Sequence, residues 1–193
     1  LQGDFQRDII LSMIKFLEIH DKYTGGHSEE VAEYSQEIAE EMDLNESKIN
    51  DAYWTGLVHD IGKLIVPSVI LNKKDDFRKE DYEYIKNHPR WAYKSLSESQ
   101  RLKDIAEYVL YHHERWDGKG YPEGLEEEEI PLISRIVAVA DVYSAMTSDR
   151  SYRDALTKEE AVKELKDNKG KQFDPDIVEV FLKIINSDIS KAI

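Results

Sequence analysis

The sequence contains no cysteine, which excludes disulfides, thiolate metal ligands and a cysteine nucleophile and leaves any metal to imidazole and carboxylate. Glycine and proline are sparse, at nine and five residues. With Glu, Lys, Leu, Ile and Ala recurring at helical period, this favours an all-α chain with no substantial sheet. No apolar run approaches the ~18 residues of a membrane span, and no signal-peptide pattern opens the chain; a soluble, cytoplasmic domain without membrane insertion is expected. Positive charge is also short, with 26 Lys and Arg against 40 Asp and Glu and a net charge of −14. Such a surface repels polyanions, so nucleic-acid polymers are not expected partners and an anionic substrate needs a local positive site. An initiating methionine is missing as well: Leu1 suggests a piece of a longer protein. The length suits one domain with a real core, or a small domain plus a docking helix.

Phe5, Ile9, Met13, Phe16, Leu17 and His20 recur at i, i+3/i+4, predicting an amphipathic helix over 4–20, either a core helix or a connector to an upstream domain. A second helix, 27–42, follows the Gly25-Gly26 turn, with Val31, Tyr34, Ser35, Ile38 and Met42 on one face and His27 at its start. Asn45 or Ser47 can cap a third helix that ends at His59-Asp60, with Gly62 as its breaker. Residues 64–77 read as a loop. Short helices over 79–87 and 89–97 part at His88-Pro89, and a helix over 101–113 ends on His112-His113. After a Gly/Pro-rich loop from Asp117 to Pro131, residues 132–147 form a strongly apolar buried helix that contains Asp141. Thr157 caps a helix to about 168, and Asp174-Pro175 opens a last one through 186. Glu126 to Glu129 reads as a solvated loop face.

Five of the six histidines, with Asp60 and Asp141, fall about one helix-loop-helix step apart, so successive elements of a bundle could each offer a ligand to one central site. A lone histidine in a helical chain is more often a surface or satisfied core residue, and His20, on the apolar face of the first helix, is read that way. Pairing changes the odds. His59-Asp60 ends an apolar stretch and Asp141 sits within Val-Ala-Val-Ala-Asp-Val, where a bare carboxylate is costly unless paired or metal-bound. A salt bridge to Arg135 or Lys63 would meet that cost at Asp141 equally well. His112-His113 could be a frayed helix end, and His88 a turn cap. One carboxylate can bridge two ions that together activate water.

His59-Asp60-Ile61-Gly62-Lys63, His88-Pro89, the run from His112-His113-Glu114-Arg115-Trp116-Asp117 to Gly118-Lys119-Gly120-Tyr121-Pro122, and Val137-Ala138-Val139-Ala140-Asp141 together closely resemble the HD-GYP family of bacterial signalling domains within the HD phosphohydrolase superfamily. The resemblance spans roughly 20–185; residues 1–20 are left as the N-terminal helix and 21–193 as the phosphodiesterase domain. It implies an HD-type all-α bundle with a central metal site and hydrolysis of cyclic di-GMP to pGpG and in some members GMP. Position by position, it implies His27, His59, Asp60 and Asp141 for one metal and Asp60, His88, His112 and His113 for a second, Asp60 bridging. It further implies Lys63 beside the scissile phosphate, Tyr121 near the substrate, and Arg150 and Arg153 on its phosphates. Iron is the favoured metal and manganese the alternative. The Gly120-Tyr121-Pro122 loop is expected to contact substrate or to dock GGDEF-type cyclase domains, with a sensor or receiver domain upstream. Lys74-Asp75 departs from the Pro-Gly turn of many relatives. Tyr23 stands where relatives with three ions carry a glutamate, which favours two ions, and Asp21 is read as a solvated helix-end acid. Two other readings remain: an HD enzyme acting on another cyclic dinucleotide such as cyclic GMP-AMP, and a non-catalytic docking module.

Overall fold

The computed structural model describes residues 2–21, 25–73, 78–148 and 155–191. The helices are α1 Gln2–His20, α2 His27–Glu41, α3 Glu46–Val58, α4 Ser68–Leu71, α5 Lys79–Ile85, α6 His88–Leu96, α7 Lys103–Leu110, α8 Leu132–Thr147, α9 Lys158–Asp167 and α10 Pro175–Lys191. Short 3-10 turns cover Ile61–Ile65, Gln100–Leu102 and Glu127–Glu129. Among the described residues there is no strand, only an isolated bridge between Lys169 and Phe173. Local chemistry sets several boundaries. Asn45 Oδ1 accepts the Lys48 amide at 3.0 Å, Thr157 and Glu160 form a reciprocal capping box, and Asp174 Oδ1 accepts the Asp176 amide at 2.9 Å; each satisfies amides that a helix start leaves bare.

Two apolar clusters hold the bundle. In the larger, Val31 and Ile38 of α2, Ile136, Val139 and Tyr143 of α8, and Phe181 of α10 are fully or nearly fully buried. Such side chains contribute about 1.5–3 kcal/mol each, and Tyr34, Tyr143 and Phe181 lock edge to face at 5.0–5.4 Å. In the smaller, Ile14 of α1, Ala32 of α2, Leu57 of α3, Ala92 of α6 and Val109 of α7 pack together. Because α2 contributes to both, its start and the ends of α3 and α7 are held in one fixed relation.

Four expectations need correction. The first helix turns Ile10, Leu11, Ile14 and Leu17 inward and leaves Ile9, Met13 and Phe16 outside, Phe16 at 69% exposure. At ~100° per residue the helix carries two apolar stripes about a third of a turn apart, and tertiary contact selects between them. Residues 64–77 are not all loop, since Ser68–Leu71 is helical. The helix before His112-His113 stops at Leu110, so the two histidines lie beyond it. Gly62 is no breaker: it sits inside the 3-10 turn, and a Cβ there would lie 1.9 Å from the His88 carbonyl oxygen. Only glycine lets that turn approach the start of α6. The Lys74-Asp75 departure and Tyr23 lie outside the described residues.

Candidate metal centre

His59, His88 and His112 are held by one repeated device. Each ring Nδ1 lies against the carbonyl three residues before it, Gly56 at 2.7 Å, Ile85 at 2.9 Å and Val109 at 2.6 Å. A carbonyl only accepts, so Nδ1 carries the proton, and in the neutral ring Nε2 keeps its lone pair. All three Nε2 atoms are buried and make no hydrogen bond, which costs about 1–3 kcal/mol for each group unless something satisfies it. The backbone thus aims three unsatisfied donors of the metal-ligating kind into one space.

The carboxylates complete the arrangement. Asp60 follows α3; its Oδ2 is 3.4 Å from His59 Nε2 and its Oδ1 is 3.4 Å from His88 Nε2. Asp141, from the middle of α8, places Oδ1 at 3.1 Å from His27 Nε2 and 3.8 Å from His59 Nε2. The salt-bridge alternative for Asp141 fails at Arg135, which pairs with Asp174 at 2.6 Å. Two sets result whose ligand atoms lie within 4.8 Å of one another: His27, His59 and Asp141, and Asp60, His88, His112 and His113. Imidazole with carboxylate fits a divalent first-row cation, and Asp60 faces a histidine of each set with a different oxygen. Lys63 Nζ lies 2.6 Å from Asp60 Oδ2 and 3.7 Å from Asp21 Oδ2. Asp21 is buried at 4% exposure, which corrects its reading as a solvated acid.

A model of the HD domain matches residues 12–177. The chain belongs to the HD domain family. It is 40% identical over 183 residues to a cyclic di-GMP phosphodiesterase of Thermotoga maritima, covering 94% of this chain and 50% of that protein. It is 34% identical to a 3'3'-cGAMP-specific phosphodiesterase of Vibrio cholerae, covering 91% of this chain and 34% of that protein. The chain therefore spans a third to a half of the length of these curated relatives. In fold it resembles the HD domain of an L. monocytogenes phosphodiesterase, PgpH, solved with cyclic di-AMP, at a TM-score of 0.65 and 17% identity over 94% of this chain and 96% of that one.

In this HD domain the electrostatics keep three of the clustered rings neutral. Burial holds His88 down to about 3 and His112 down to about 4, and pushes His113 well below the usual range, so these rings stay neutral and able to donate lone pairs. Burial opposes charge at His59 too, but the Asp60 and Asp141 carboxylates outweigh it and raise its pKa. Burial would raise Asp60 and Asp141, yet Lys63 and His59 hold the first well below the carboxylate range and His27 and His59 lower the second. Lys63 is raised, because Asp60 and Asp21 overcome its burial. It stays a cation at neutral pH.

Beside the second set lies a cavity of about 280 Å³ lined by Lys86, His113, Arg115, Lys119, Tyr121 and Gln172, among others. Tyr121 stacks on the His113 ring at 4.8 Å, and Lys86 Nζ lies 5.7 Å from the Tyr121 ring centre. Burial, with Asp141 and Asp60, pushes the Tyr121 phenol up, so it remains a neutral hydrogen-bonding group. Gly120 packs its backbone against Glu114 and Arg115 where a Cβ would stand 2.4 Å from the Arg115 amide nitrogen, which keeps Tyr121 over His113. Arg150 and Arg153 lie outside the described residues. His20 stays apart from the cluster and meets the Val66 carbonyl at 2.9 Å, as its structural reading anticipated. Sequence reasoning missed Lys86 in the cavity wall and Ser144 behind His27; neither carries a motif, and only helix crossing brings them there.

Proposed function

We propose that this HD domain is a metal-dependent phosphodiesterase that opens a cyclic dinucleotide, with cyclic di-GMP the leading substrate and pGpG, then GMP, the products. The observation that carries it is the group of three buried, unbonded imidazole Nε2 atoms near two carboxylates beside a half-buried lysine. His27, His59, Asp60, His88, His112, His113 and Asp141 would hold divalent cations, which would supply Lewis-acid polarisation of a phosphodiester and a more acidic water near neutral pH. Lys63 then faces the negative charge that builds on the phosphoryl group, and Asp21 retains it when Asp60 is engaged elsewhere. Lys86, Arg115 and Lys119 line the cavity; each is paired with Glu83 or Asp117, and an incoming phosphate would exchange with those carboxylates. They suit the second phosphate of a cyclic dinucleotide, with Arg150 and Arg153 as further clamps and Tyr121 against the ring. Iron, with manganese as alternative, fits this imidazole and carboxylate set.

On the same reading the domain is cytoplasmic, and α1 serves both as a core helix, through Ile14 and Leu17, and as a connector to an upstream sensor or receiver domain. The Gly120-Tyr121-Pro122 loop offers a face for a cyclase domain. Among the described residues no helix is long and apolar enough to cross a membrane. Cyclic GMP-AMP is the second substrate, favoured by the relative named for it. The test is anaerobic loading with Fe²⁺ or Mn²⁺ followed by separation of products from cyclic di-GMP and 3'3'-cGAMP. Linear dinucleotide from the first at the higher kcat/KM supports the reading. Absence of turnover on either in fully loaded protein sinks it.

A further inference from the structure

His27 is oriented differently from the three histidines that lean on backbone carbonyls. Its Nδ1 lies 2.9 Å from the Ser144 hydroxyl oxygen, and that hydroxyl lies 2.7 Å from Glu30 Oε2. Ser144 is fully buried on α8, whereas Glu30 stands one turn after His27 on the exposed side of α2. For a neutral His27 ring the proton inventory leaves one consistent arrangement. A carboxylate only accepts, so the single hydroxyl proton of Ser144 goes to Glu30, and the hydroxyl oxygen accepts from His27 Nδ1–H. His27 Nε2 is thereby left with its lone pair facing Asp141 Oδ1 at 3.1 Å. Two acceptors at that separation repel unless a proton on Nε2 or a metal cation lies between them.

We propose that Glu30 and Ser144 form a positioning relay that fixes the tautomer of His27 and raises its strength as a ligand, so that the ion held by His27, His59 and Asp141 is tuned separately from the other. This rests on the metal reading above. His59, His88 and His112 lean on main-chain carbonyls, which no side-chain substitution removes. His27 leans on two replaceable side chains. Partners of this kind behind a metal-bound imidazole set its orientation and basicity, and their loss typically costs about 10- to 100-fold in metal affinity. The relay joins α2 to α8, so occupancy of this site also answers to the packing of those two helices.

The test titrates Mn²⁺ alone into metal-free wild type, Ser144→Ala and Glu30→Gln by calorimetry, with circular dichroism to establish that each is folded. Glu30 is exposed, so its variant keeps the core intact. Wild type is expected to bind two equivalents. Ser144→Ala should weaken one of them about 10-fold or more and leave the other within about twofold; Glu30→Gln, which keeps an acceptor but loses the charge, should weaken the same one by about threefold. Two unshifted equivalents in both variants, or an equal loss at both sites, overturn the relay while leaving the metal reading standing. A wild type that binds no Mn²⁺ overturns both.

Discussion

On the proposed reading Asp60 serves both ligand sets, because one oxygen faces His59 and the other His88. Asp60→Ala should therefore abolish hydrolysis and strip both metal equivalents rather than one; elemental analysis that finds one equivalent retained would place the bridge elsewhere. Lys63 carries a different load. It is held between Asp60 and Asp21, and as a half-buried cation beside the site it can stabilise charge that appears only in the transition state. Lys63→Ala is expected to keep its metals and lose about 10²-fold in kcat, whereas a rise confined to KM would reduce it to a substrate anchor. The histidines predict a pH dependence for the metal-free protein. His88 and His112 are held down to about 3 and about 4, against ~6.5 in an unfolded chain. As pH falls through 6.5 the unfolded chain takes up protons that these folded positions refuse, and that uptake favours unfolding. The penalty is absent above about pH 7 and grows as pH falls from about 6.5 to about 4 for His112 and to about 3 for His88. His113 acts in the same sense and His59 in the opposite one, three against one. The denaturant midpoint of metal-free protein should be lower at pH 5 than at pH 8; equal midpoints would show that these rings are solvated.

At the scale of elements, legibility followed the range of the interaction. The starts of α3, α9 and α10 were readable because Asn45, Thr157 and Asp174 bond amides within three residues of themselves. The apolar run of α8 was readable because burial on nearly every side needs no partner to be named. The clustering of histidine and aspartate was readable in part, since His59-Asp60 and Asp141 each put a carboxylate into an apolar run. What could not be read depends on how helices cross: which stripe of α1 faces inward, why Gly62 is glycine, and that Ser144 and Asp21 stand behind His27 and Lys63. The misread α1 gives a direct comparison. Ile14 is fully buried in the smaller cluster and Phe16 is 69% exposed. Ile14→Ala should cost about 2–5 kcal/mol and Phe16→Ala within about 0.5 kcal/mol by denaturant unfolding, although the sequence pattern ranks them the other way. Equal costs would mean that the outward stripe is covered in solution.

For the whole molecule, the proposed metal reading makes folding and metal loading one equilibrium. The metal-free bundle buries imidazole nitrogens that nothing satisfies next to carboxylates on two elements, so part of its stability is withheld until cations arrive. An ion that binds only the folded chain adds about 2.7 kcal/mol at a concentration 100 times its dissociation constant. Two sites together should then raise the melting temperature by on the order of 10 °C for a chain of this size. The number of ions follows from the same inventory. Among the described residues only two ligand sets form, and Asp21, the acid nearest the missing glutamate position, is buried against Lys63 instead. Elemental analysis of fully loaded protein should give two equivalents, and a chelator should reverse both the occupancy and the thermal gain. Asp60→Ala should melt at the metal-free temperature whatever is added. A third equivalent that contributes its own step to the thermal gain would show that ligands outside the two sets, or water alone, complete a further site beside His27.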